Sequence, residues 1–116
     1  MEDEKVFSMK VSKIFPLLVA KAKKKGRRKE EVEKVISWLT GYTEEEIEQK
    51  VTEDVTYRQF FAQAPQINPN YEKITGSICG VKIQEIEDPL MKKIRCLDKL
   101  VDELAKGKPL EKVLRK

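Results

Sequence analysis

The 116-residue chain has no histidine. That absence excludes Ser-His-Asp and Cys-His nucleophiles, together with the usual His-containing zinc and iron sites. Cysteine is almost as scarce. Cys79 and Cys96 are too few to hold zinc alone, and their spacing is not that of a CxxC redox pair. Glycine and proline number 5 each, too few for a fibrous or disordered chain. The longest uncharged apolar run, Ile14 to Ala20, falls well short of the roughly 20 residues that a membrane helix needs. The acidic start Met1-Glu2-Asp3-Glu4 is not followed by an apolar signal core. The expectation from these absences is a cytoplasmic protein with reduced thiols, no cofactor, no metal and no membrane association.

What is present is charge and helical periodicity. Charged residues make up 38% and hydrophobic residues 40% of the chain, and 24 Lys and Arg against 20 Asp and Glu leave a net charge of +4. An excess of that size allows an anionic partner without requiring one. The length suits a single domain over residues 1–116, with 1–10 extended or frayed. A helix is predicted from about Ser12 to Lys25, its apolar residues covering most of its circumference, and such a helix belongs at the centre of a bundle. The next, about Arg28 to Thr40, carries Val32, Val35, Ile36 and Leu39 as one core-facing stripe, and Gly41 ends it.

Four helix starts are written in capping residues. Thr43 with Glu46, and Thr56 with Gln59, have capping-box spacing, with Tyr42 facing Ile47 and Val55 facing Phe60 as staples. Asn68-Pro69 and Asp88-Pro89 place a cap residue before a proline at the first helical position. The Asn68 start is read as a helix carrying Tyr71, Ile74 and Ile78 as far as Gly80. The Asp88 start opens the longest helix, Pro89 to Lys106, and a last turn follows from Pro109 to Leu114. Val81-Lys82-Ile83 alternates like a strand but is very short. The fold class read from this pattern is all-α, a compact single-domain bundle of five to seven short helices with at most one very short strand pair.

Four blocks also carry a resemblance. Ser37-Trp38-Leu39-Thr40-Gly41-Tyr42-Thr43-Glu44-Glu45-Glu46, Phe60-Phe61-Ala62-Gln63-Ala64-Pro65-Gln66-Ile67-Asn68-Pro69-Asn70, Ile74-Thr75-Gly76-Ser77-Ile78-Cys79-Gly80-Val81, and Ile86-Glu87-Asp88-Pro89-Leu90-Met91 through Leu97-Asp98-Lys99-Leu100 follow in one order. In that order they resemble a small bacterial family, domain of unknown function 2200, over roughly residues 5 to 115. The resemblance implies a compact bacterial cytoplasmic protein. It implies no substrate, cofactor or catalytic residue.

Two surfaces stand out. Lys21, Lys23, Lys24, Lys25, Arg27, Arg28 and Lys29 form a basic segment around Gly26 that could neutralise phosphates of nucleic acid. Cations also suit a helix C-terminus and a solvated turn, and that reading is favoured. Leu90, Ile94, Leu97, Val101 and Leu104 step by heptad spacing, which suggests a self-association seam and a homodimer. A helix-turn-helix around Gly41 is disfavoured, because Glu44, Glu45, Glu46 and Glu48 would repel phosphates at the reading end.

For catalysis, Glu85, Glu87 and Asp88, or the i, i+4 pair Asp98 and Asp102, could hold a cation or act as acid and base. Arg95, Lys99 and Lys106 instead explain the second pair as ordinary ion pairs, and Asp88 is accounted for as a cap. Cys79 is read as core and Cys96 as near the surface, neither of them activated. Trp38 lies off the stripe of its helix. The functional expectation is a non-enzymatic protein-interaction or accessory module with an unknown protein partner. Sequence-independent nucleic-acid binding through residues 21–29 is the alternative, and an enzyme with a carboxylate-based site comes third.

Overall fold

The computed structural model describes residues 2–78 and 80–114. Seven α-helices follow one another in these residues: α1 Glu2–Phe7, α2 Val11–Lys23, α3 Lys29–Thr40, α4 Glu44–Glu53, α5 Tyr57–Ala62, α6 Pro89–Ala105 and α7 Leu110–Val113. Between α5 and α6 lie two 3-10 turns, Pro69–Lys73 and Ile83–Glu85, and a two-stranded antiparallel sheet of β1 Ser77–Ile78 and β2 Val81–Lys82. The helical bundle with one very short strand pair is therefore the observed architecture.

Local chemistry sets the element starts. The Thr43 hydroxyl accepts from the Glu46 amide at 3.1 Å, while the Glu46 carboxylate accepts from the Thr43 amide at 2.9 Å. Thr56 and Gln59 repeat this reciprocal pair at the head of α5. Asp88 accepts from the Met91 amide at 3.0 Å and so begins α6. Each arrangement satisfies amides that a helix start otherwise leaves unbonded.

Two expectations are corrected. Residues 2–7 are helical rather than extended or frayed. Phe7 of α1 is buried, and Arg58 at the head of α5 pairs with Glu4 at 2.5 Å, so tertiary contacts hold the helix in place. Secondly, no α-helix runs from Asn68 to Gly80. After one 3-10 turn, Gly76 adopts φ +106 and the chain enters β1, where Ile78 pairs with Val81. Val81 and Lys82 therefore do form a strand, while Ile83 begins the second 3-10 turn.

The core is one apolar cluster in which α2 packs against α3, α4 and, most extensively, α6. The Tyr42 hydroxyl donates to the Phe60 carbonyl at 2.7 Å and its ring lies 4.7 Å from that of Phe60, joining the α3–α4 turn to α5. Burial, with Glu46 and Glu53 nearby, pushes the Tyr42 hydroxyl up to about 12. A β-type bridge between Lys10 and Thr56 ties the entry of α2 to the start of α5, the Val11 amide donating to the Val55 carbonyl at 2.8 Å.

Candidate functional site

The heptad seam of α6 is core. Ile94, Leu97, Val101 and Leu104 are buried and Leu90 is partly buried, all within the chain's own apolar cluster. Their spacing is that of any helix packed on two neighbours, so the seam offers no self-association surface. Cys96 is likewise buried, not near the surface, with its thiol 3.7 Å from the Tyr71 carbonyl. The buried face of α6 is broad enough to include Met91, Cys96 and Leu100 beside the seam. The Cys79 reading lies outside the described residues.

The basic segment divides in two. Lys21 pairs with Asp102 at 3.3 Å. Arg27 binds Glu31 at 2.6 Å and donates to the carbonyls of Leu104 and Lys108, closing the end of α6. Its pairing with Glu31 raises the guanidinium and lowers the carboxyl. Lys29 donates to Glu48 at 2.8 Å. These three are structural cross-links, whereas Lys23, Lys24, Lys25 and Arg28 lie exposed around the turn.

The carboxylate candidates do not converge. Asp88 is engaged as a cap, Glu85 faces Lys82 at 3.9 Å and Glu87 is exposed. Asp98 and Asp102 titrate in opposite directions. Burial raises Asp98 against the pull of Arg95 and Lys21. Burial also opposes the ionised form of Asp102, but hydrogen bonds from Lys106 and Lys21 outweigh it and hold the carboxyl low. Among the described residues no group of three or more Cys, Asp or Glu is placed to hold a metal ion. No helix among them is long and apolar enough to cross a membrane.

An exposed apolar surface lies on α2, the helix whose apolar circumference predicted a place at the centre of the bundle. Leu17 is 66% exposed, and Pro16 and Ala20 beside it are exposed too. At about 100° per residue these three form one ridge along the solvent side. Proline costs least on such a side, because the Ser12 carbonyl that it leaves without an i+4 amide can turn to water. On one flank of the ridge, a groove of about 250 Å³ is walled by Val6, Met9, Ile14, Leu17, Ile94 and the Arg95–Asp98 pair, with Met9 43% exposed at its edge. On the other, a groove of about 370 Å³ runs between α2 and α4 over Phe15, Pro16, Val19 and Val51 to the Lys29–Glu48 ion pair. Trp38 lies away from both, half-buried against Gly41, Gln66 and Pro69.

One buried polar group of α3 has no counterpart in the sequence reading. Glu33 of α3 is 5% exposed, and its Oε2 has no hydrogen-bond partner. Burial raises its carboxyl; Lys29 opposes the rise, while Glu48, Glu44 and Glu30 add to it. The available signal was position, since Glu33 stands three residues before Ile36 and seven before the buried Thr40 on the edge of the stripe.

A family described as an uncharacterized protein conserved in bacteria, domain of unknown function 2200, matches residues 5–115, and the chain belongs to this family. The chain is similar to the protein in the crystal structure of uncharacterized protein SP1917, with 50% identity, a TM-score of 0.91, and coverage of 96% of this chain and 91% of that one. Among curated proteins none matches the chain.

Proposed function

We propose that this protein is a small cytoplasmic protein-interaction module whose recognition face is the bare ridge of α2 with its two flanking grooves. The observation that carries this reading is Leu17, 66% exposed on a helix that packs against α3, α4 and α6. Burying such a side chain in a partner gains about 1.5–3 kcal/mol. With the α6 seam inside the core, the same ridge would also serve a second copy of the chain.

Leu17→Lys tests the proposal. A substitution on this exposed ridge is expected to leave stability within about 0.5 kcal/mol and to remove partner binding. Affinity capture from a bacterial lysate treated with nuclease should retain a protein on the wild-type chain that Leu17→Lys loses. Identical capture by both chains, or no capture by either, overturns it.

Nucleic-acid binding through the turn is the second reading, supported by the exposure of Lys23, Lys24, Lys25 and Arg28. With Lys21, Arg27 and Lys29 engaged within the chain, at most these four cations meet phosphates. The log-log salt slope should then be no steeper than about −4 on double-stranded DNA. A slope near that of all seven cations would mean that the internal ion pairs open on binding.

A further inference from the structure

We propose that the groove beside Met9 receives a tyrosine side chain of the partner protein, its ring lying on Ile14, Leu17, Leu18 and Ile94 and its hydroxyl bonded among Asp98, Arg95 and Tyr57. The proposal rests on the protein-interaction reading and names the chemistry of the partner.

The polar end of this groove is incompletely bonded. Tyr57 is 4% exposed and lines the groove, yet its hydroxyl makes no hydrogen bond among the described residues. Asp98 and Arg95 line the groove too, and both act electrostatically on that hydroxyl, which sets the three groups together. Burial and the neighbouring Asp98 push the Tyr57 hydroxyl up against the pull of Arg95, so at neutral pH it is a donor. The Arg95–Asp98 contact is 3.8 Å, longer than the roughly 2.7–3.2 Å of a hydrogen bond, so the pair attracts without bonding. A hydroxyl buried to this degree without a partner is costly, and an occupant that bonds it removes that cost.

The charges of this end cancel. Arg95 offsets Asp98, and Lys21, the other cation acting on Asp98, is paired with Asp102 at 3.3 Å. Neither a cation nor an anion gains net attraction there, so the occupant is neutral. Its tip must donate to Asp98 and accept from Arg95 and Tyr57, which is the full capacity of one hydroxyl. An indole only donates, and a phenylalanine ring would strip water from all three groups without replacing it. Serine and threonine bring a hydroxyl but no body for the apolar walls. A phenol carries its hydroxyl on a flat apolar ring, the property that favours tyrosine at interfaces. The groove's volume of about 250 Å³ lies just below the roughly 300–1,000 Å³ of small-molecule pockets, and so suits a single side chain. Met9, exposed at the edge, adds a polarizable sulfur beside the ring.

Titration of the isotope-labelled full chain with a capped alanine–tyrosine–alanine peptide, followed by amide resonances, tests the inference. The expected result is saturable shifts at Met9, Tyr57, Ile94 and Asp98, with affinity about tenfold lower when phenylalanine replaces the peptide's tyrosine. A lysine or a phosphotyrosine in its place should leave these resonances unmoved. Tyr57→Phe removes a hydroxyl that has no partner among the described residues, so the urea midpoint should hold while affinity for the tyrosine peptide falls about threefold. Equal affinity for the tyrosine and phenylalanine peptides, comparable binding of the lysine or phosphotyrosine peptide, or undiminished affinity in Tyr57→Phe overturns the tyrosine site. The peptide series needs no variant and so decides the matter even if Tyr57→Phe perturbs the fold. Unmoved Met9 and Ile94 resonances overturn the site while leaving the α2 ridge in place, provided that Leu17→Lys loses the captured protein. Shifts at Ile94 and Asp98 that persist while Leu17→Lys captures all that the wild type does separate the two in the other direction.

Discussion

Gly41→Ala is expected to destabilise the fold by about 3 kcal/mol, the sum of a left-handed backbone and a collision. Gly41 ends α3 at φ +82, a conformation that an L side chain adopts only with strain. A β-carbon there would lie 2.9 Å from both the backbone nitrogen and the carbonyl oxygen of Gln66. The segment cannot simply step aside. The Gln66 amide donates to the Thr40 carbonyl and the Asn68 amide to the Leu39 carbonyl, holding 66–68 against the end of α3. Gly26 supplies the control. It has φ +83, but a β-carbon added there would meet nothing within 4 Å. Gly26→Ala should therefore show the backbone cost alone, about 1 kcal/mol. Urea midpoints at constant slope measure both. Equal costs for the two substitutions would mean that the approach of Gln66 is soft.

Glu33→Gln should have the opposite sign and raise stability at neutral pH by about 1–2 kcal/mol, since it removes a buried charge that lacks a full set of partners. Glu33→Met should stabilise at least as much. The pH dependence follows from the direction of the shift. The carboxyl of Glu33 holds its proton more tightly in the folded chain than in the unfolded one. Its contribution to stability is thus fully present below the ordinary glutamate value and is lost as pH rises through the raised folded value. The advantage of Glu33→Gln over wild type should therefore shrink as pH falls through that window. Asp98, raised in the same direction, is common to both chains and cancels in the difference. A pH-independent difference would show that Glu33 titrates normally.

The parts of the fold legible in the sequence were those decided within a few residues. Thr43, Thr56 and Asp88 announce helix starts because a cap acts on amides two or three positions away, and the structure places each of them as a cap. Helix α1 was not legible, because it is held by Phe7 in the core and by a Glu4–Arg58 pair that spans most of half the chain. Asn68-Pro69 announced a start correctly, but no cap residue says how far a helix runs, and Gly76 turned the chain into β1 instead. Cys96 was misplaced because the apolar stripe was measured along one row, whereas α6 is covered on several sides. The exposed ridge of α2 was hidden for the converse reason. Apolar periodicity tells which residues of α2 could be buried, and only the positions of α1, α4 and α6 tell that Leu17 is not.

The packing of α2 against α6 also constrains how the chain is made. Some 65 residues separate the end of α2 from the start of α6. A ribosome adding about 5–20 residues per second would need roughly 3–13 s to produce them. Throughout that interval the inward face of α2, from Val11 to Ala22, waits for its largest partner, covered by no more than the elements already made. The nascent chain is thus at its most adhesive early in synthesis, and slow translation of residues 54–88 would prolong its dependence on chaperones.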